Sequence, residues 1–128
     1  MQFKIDNASD RPVYQQIIDQ IKRDVASGKL TTDEKIPTVR ELAAQLAINP
    51  NTIGKAYRSL EQQGIITTKP GAGAFIANLD SNLSNSVKKR LICSELEHII
   101  VDAYHMQIDK QTLKTWFGDV IEKFKLPK

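Results

Sequence analysis

Two helix-start signals stand close together in this chain, and the short stretch between them limits what it can fold into. Thr38-Val39-Arg40-Glu41 has the S/T-x-x-E form of a capping box, in which hydroxyl and carboxylate each satisfy a backbone N–H at a helix start. A helix is therefore predicted from Thr38. Its apolar positions Val39, Leu42, Ala43 and Leu46 keep helical spacing, and the pattern stops at Ala47-Ile48. Asn49, a favoured N-cap, and Pro50, a favoured first helical residue, then start a second helix that runs to Gln63, with Gly64 as its left-handed stop. Ile65-Ile66-Thr67-Thr68, a turn through Lys69-Pro70-Gly71, and Ala74-Phe75-Ile76 follow as a β-hairpin. The predicted order is helix, tight turn, helix, hairpin.

The flanks add further elements. Phe3 and Ile5 alternate with polar neighbours and predict a short strand, closed by the polar turn Asn7-Ala8-Ser9-Asp10. Tyr14, Ile17, Ile18, Ile21 and Val25 form the stripe of an amphipathic helix begun by Asp10 or Arg11, with Pro12 early in its first turn, and ended at Ser27-Gly28. Residues 29–37 read as a loop whose Leu30 and Ile36 tuck under the helices. Beyond Ala77, residues 78–82 read as a polar linker with a cap, before a long helix from about Leu83 to His105. Met106-Gln107-Ile108 breaks that helix, and Asp109 caps a last one carrying Leu113, Trp116, Phe117, Val120, Ile121 and Phe124. Two helices alone bury too little of this surface, so they need the first domain or a second copy of themselves. The second copy is the preferred reading, with Leu91, Leu96, Ile99, Leu113, Trp116, Phe117 and Val120 as dimerisation residues.

Composition narrows the function classes. The chain has 128 residues, enough for one compact domain plus an appendage, and 41% apolar residues, close to ordinary globular usage. A single cysteine excludes an intrachain disulfide framework and fits a reducing compartment. No apolar run approaches membrane-spanning length, and Met1-Gln2-Phe3-Lys4-Ile5-Asp6 lacks the apolar segment of a signal peptide, so a cytoplasmic protein with no membrane partner is expected. The net charge of +3 permits an anionic partner without demanding one. No Ser/His/Asp, Cys/His or paired-carboxylate arrangement supports catalysis, so no enzyme is expected.

Where the charges lie is more telling. At about 100° per residue, Ile53, Ala56, Tyr57 and Leu60 fall on one side of the second helix, and Asn51, Lys55, Arg58 and Gln62 on the other. In a helix-turn-helix the N-terminal residues of the second helix meet base edges. Here Asn51 can pair with adenine, Thr52 can hydrogen-bond or meet a thymine methyl, and Lys55 can reach guanine or phosphate. Plain capping by Asn49 and Thr52 beside solvated cations is the alternative. Arg40, outside its helix's apolar stripe, could reach the same groove or pair with Glu41 or Asp33. The tip Lys69-Pro70-Gly71-Ala72-Gly73 joins a cation to two glycines that let backbone approach a phosphate chain closely, and would equally serve as an ordinary turn. It is no nucleotide loop, since no helix follows directly and no Gly-Lys-Ser/Thr ends it.

The run Ile36-Pro37-Thr38-Val39-Arg40-Glu41-Leu42-Ala43, then Ile48-Asn49-Pro50-Asn51-Thr52-Ile53, Lys55-Ala56-Tyr57, Leu60-Glu61, Gly64-Ile65-Ile66 and Gly71-Ala72-Gly73-Ala74-Phe75-Ile76, resembles the winged helix-turn-helix of GntR-family transcription regulators. Pro12-Val13-Tyr14-Gln15-Gln16-Ile17 matches the family's first helix, so the resemblance covers about residues 3–77. It implies a mainly α fold with a small β-hairpin wing, a DNA-binding domain over residues 1–77, and a two-helix dimerisation and candidate effector region over 78–128. It also places Arg40, the Asn51 to Lys55 region and the Gly71 to Gly73 wing tip against operator DNA. With the face analysis, the expected DNA-binding set is Arg40, Asn49, Asn51, Thr52, Lys55, Arg58, Lys69, Gly71 and Gly73. The short tail and Asn-Pro-Asn-Thr resemble the YtrA branch, which implies a homodimeric repressor, often of transporter operons, binding a palindromic operator. Pro50 and Gly54 stand where many relatives carry Arg, and Ala74 where Thr is common, so contacts at those positions do not carry over.

Other readings are set aside. A winged helix that meets an acidic protein, or a non-specific nucleoid-type binder, are the rival functions. Glu95, His98, Asp102 and His105 share one arc of the long helix, but no second element supplies ligands, and neither a metal nor another cofactor is expected. Cys93, with Lys89 and Arg90 one turn away, reads as a buried inert thiol. Trp116 and Phe117 could line an effector pocket, and core or interface is preferred.

Overall fold

The computed structural model describes residues 2–78 and 83–128, which form two compact units. In the first unit α1 (Val13–Ala26) leads through a loop to β1 (Lys35–Ile36), then α2 (Val39–Leu46), α3 (Pro50–Gln62), β2 (Ile66–Lys69) and β3 (Gly73–Ile76). The second holds α4 (Asn85–His105) and α5 (Lys110–Ile121).

Both helix starts are capped, although of the Thr38–Glu41 capping box only the hydroxyl half forms and the Glu41 carboxylate does not reach back to the Thr38 N–H. Thr38 accepts the Glu41 N–H at 3.1 Å and starts α2, and Asn49 accepts the Asn51 N–H at 2.8 Å with Pro50 as the first residue of α3. Ala47 closes α2 in the left-handed region at φ 53°, and the Ile48 N–H reaches back to the Ala43 carbonyl at 3.0 Å. That bond keeps the turn between α2 and α3 short enough for both helices to share one core. α3 ends at Gln62, with Gly64 at φ 75°, where a side chain would be strained.

The core is built from α1, α2, α3 and one face of the sheet. Ile17, Ile21, Ile36, Leu42, Ile53, Leu60, Ile66 and Ile76 are its largest enclosed side chains, and Leu30 is also buried. The sheet has three antiparallel strands in the order β1-β3-β2, with Lys35 opposite Phe75 and Thr67 opposite Phe75 across the other edge. β1 corrects the expected loop at residues 29–37. Two residues are too few to show alternation, and their partner strand lies far along the chain.

Phe3 and Ile5 are half-buried as alternation predicts, yet they lie in no strand. The extended segment pairs instead with glutamine amides of α1: the Lys4 N–H donates to Gln20 Oε1 at 3.1 Å and the Asp6 N–H to Gln16 Oε1 at 2.8 Å. Gln16 Nε2 returns a bond to the Asp6 carbonyl at 3.0 Å. Two amides one turn apart thus take the place of a neighbouring strand. Pro12 is the cap of α1 and does not lie inside its first turn.

In the second unit Ser84 caps α4 by accepting the Val87 N–H at 3.3 Å, so Leu83 lies just outside the helix. The cap expected within residues 79–82 falls outside the described residues. Gln107, at φ 61°, turns the chain, and Asp109 caps α5 by accepting the Thr112 N–H at 3.1 Å and its hydroxyl at 2.6 Å. Those two bonds hold the Asp109 carboxyl below the ordinary carboxylate range. α5 stops at Ile121, leaving Phe124 beyond the helix. No helix among the described residues is long and apolar enough to cross a membrane.

Candidate nucleic-acid interface

The second helix of the motif is two-sided. Ile53, Ala56, Tyr57 and Leu60 of α3 are buried against α1, α2 and β2, which leaves Asn51, Lys55 and Arg58 exposed and Thr52 half-buried on the remaining surface. The carboxamide oxygen of Asn49 is engaged in its cap. The two cations of α3 are not loose. Lys55 Nζ sits over the ring of Tyr14 from α1, 3.9 Å from its centre, and Arg58 Nη1 lies 3.3 Å from the point where a Cβ on Gly54 would stand.

Beside α3, a groove of about 790 Å³ runs between the start of α2 and the wing. It is lined by Lys35, Thr38, Arg40, Tyr57, Lys69 and the tip Gly71 to Gly73, with no acidic residue among its lining. Arg40 is exposed and forms no ion pair with Glu41 or Asp33. Lys69 Nζ lies 4.8 Å from the centre of the Phe75 ring. Gly71 and Gly73 have φ of 75° and 113°, conformations that glycine adopts without strain.

Three supporting residues escaped the sequence reading. Lys35, placed by β1, folds across Gly73, with its Cε 3.1 Å from the position a Cβ would take. The signal that could have found it is the cation directly before Ile36-Pro37, masked by the loop assignment. Glu61 accepts the Thr68 N–H at 3.0 Å and the Thr68 hydroxyl at 2.6 Å, which ties α3 to β2 and holds its carboxyl below the ordinary range. The Tyr57 hydroxyl donates to the Pro37 carbonyl, fixing the start of α2 against α3. Burial, with Glu41 adding to it, pushes that hydroxyl's pKa up, so it remains a donor.

The second unit presents a different surface. Leu91, Ile99, Trp116, Phe117 and Val120 are exposed, while Leu96 and Leu113 are half-buried. A groove of 350 Å³ between α4 and α5 is lined by Leu96, Ile99, Ile100, Leu113 and Phe117, with Lys110 and Lys114 alongside. His98 Nδ1 stands 4.0 Å from Glu95 Oε1, and no group of three potential ligands gathers among the described residues, Asp102 and His105 included. Cys93 is exposed, contrary to the expected buried thiol, because α4 packs too little around it.

Residues 13–76 match the family described as bacterial regulatory proteins, gntR family. The chain belongs to the GntR family. It is 36% identical over 118 residues to the HTH-type transcriptional repressor YtrA of Bacillus subtilis (strain 168), covering 92% of this chain and 91% of that one. Among solved structures it is similar to the transcriptional antiterminator of Listeria monocytogenes EGD-e, with a TM-score of 0.81, 33% identity, and coverage of 100% of this chain and 98% of that one. It is also similar to the AraR DNA-binding domain in complex with operator ORX1, with a TM-score of 0.54, 30% identity, and coverage of 60% and 99%. This GntR-family chain is thus a DNA-binding transcription regulator with a winged helix-turn-helix, and its relatives are regulators, not enzymes.

Proposed function

We propose that the protein is a homodimeric repressor that binds a palindromic operator and blocks promoter access. The observation that carries this reading is the placement of its cations. Lys55 and Arg58 on α3, and Lys35, Arg40 and Lys69 around the adjoining groove, lie on the exposed surface of the winged helix, and the groove has no acidic lining. In this reading Asn51, Thr52 and Lys55 meet base edges, Arg58 and Arg40 hold the helix in the groove, and Lys35, Lys69 and the backbone at Gly71 and Gly73 take phosphates. Asn49 contributes through the helix start, whose amides favour phosphate. Residues 1–77 form the DNA-binding domain and 78–128 the dimerisation region, through Leu91, Leu96, Ile99, Leu113, Trp116, Phe117 and Val120. Two-fold symmetry then sets half-sites about one helical turn (~34 Å) or a multiple apart.

The likeness to a repressor over 91% of that protein's length supports the sign of regulation, and a transporter operon is the target this reading expects. Arg40→Ala and Lys55→Ala are each expected to weaken operator binding by about 1–3 kcal/mol in a mobility-shift titration at fixed salt. Unchanged binding by both would place the DNA surface elsewhere. Genomic fragments bound by the chain should be two-fold symmetric and lie over promoters. Sequence-independent recovery would favour a nucleoid-type binder, and a flat salt dependence would favour an acidic protein partner.

A further inference from the structure

We propose that Tyr14 is a positioning residue for DNA recognition: its ring seats the Lys55 ammonium, although Tyr14 belongs to α1 and not to the helix-turn-helix. This rests on the reading that α3 meets DNA. Lys55 Nζ lies 3.9 Å from the ring centre, well inside the distance at which an ammonium is attracted to the negative face of an aromatic ring. The ring itself has little freedom, because Tyr14 is half-buried and packed against the core cluster. Lys55 is exposed and makes no ion pair among the described residues. A free lysine loses rotamer freedom when it docks on DNA, whereas one already seated on a ring loses less. The ring accepts no hydrogen bond in the ordinary sense, so the ammonium keeps N–H donors for a phosphate oxygen or a guanine acceptor.

The contact has a direct reading and a functional one, both on the full chain. In the free protein the ring should shield the Lys55 ε-methylene protons, moving them upfield by NMR in wild type and Tyr14→Phe and back in Tyr14→Leu. Ordinary ε-methylene shifts in the wild type overturn the inference, whatever the variants do. For function, the probe is a duplex selected by the wild-type chain from a random-sequence pool. Tyr14→Phe should bind within about two-fold of wild type, and Tyr14→Leu about three- to ten-fold more weakly, with thermal unfolding measured alongside. Adding Tyr14→Leu to Lys55→Ala should cost little more than Lys55→Ala alone. If Tyr14→Phe loses as much as Tyr14→Leu, the hydroxyl is the contact and the positioning role falls. If Lys55→Ala weakens binding and Tyr14→Leu does not, the positioning role also falls while the recognition face stands. Unchanged binding by Lys55→Ala removes the functional role together with the reading of α3, even where the shielding is present.

Discussion

The two units of this regulator treat apolar surface in opposite ways. Among the described residues, every buried hydrophobic side chain except Ala103 belongs to the winged-helix unit, and every large exposed one lies from Leu83 onward. Both units contain amphipathic or apolar helices, so helix patterning does not separate them. Geometry does. Three helices and a sheet enclose a shared interior, whereas α4 and α5 touch each other too little to enclose one. α4 makes this acute, since Val87, Leu91 and Val101 fall on one side of it and Leu96, Ile99 and Ala103 on another. The first unit leaves a polar face free, and the second leaves apolar surface exposed.

The comparison can be broken most forcefully in the first core. Ile53→Ala or Leu60→Ala removes a side chain with no exposed surface and should lower stability by about 2–5 kcal/mol in urea unfolding. The loss should not depend on protein concentration. Trp116→Ala, at a half-exposed site, should act oppositely, weakening self-association by about 2 kcal/mol or more in sedimentation while leaving the winged helix folded. A wild-type chain that sediments as a monomer at all concentrations would end the second half of the contrast. Thr38→Ala removes the cap of α2 and should cost about 1 kcal/mol of stability, again in urea unfolding.

The smallest expected effect concerns the link between α3 and the wing. The Glu61 carboxyl is held below its ordinary value of 4.5 by Thr68. A lowered folded pKa means that its contribution is present above the unfolded value and is lost as pH falls through the folded one. The Thr68 amide resonance should therefore titrate below pH 4.5 and stop doing so in Glu61→Gln.

Much of the first unit was legible because its signals are local. Thr38 with Glu41, Asn49 with Pro50, and Gly64 mark boundaries through hydrogen bonds and backbone preferences that span only a few residues. The exposed placement of Asn51, Lys55 and Arg58 followed from the same periodicity that buries Ile53 and Leu60. What escaped were pairings across distance. β1 exists because β3 lies beside it, the strand expected at Phe3 and Ile5 is replaced by amides of Gln16 and Gln20, and Lys35 reaches the groove because that pairing sets it beside Gly73.

By itself, then, the sequence determined the helix starts and stops, the buried and free faces of α3, and the family, since each rests on residue type at fixed spacing. Tertiary structure decided the partners of the cations. Lys55 on Tyr14, Lys69 on Phe75 and Lys35 across Gly73 each join segments that periodicity treats separately, because long charged side chains settle on whatever surface the fold brings beneath them.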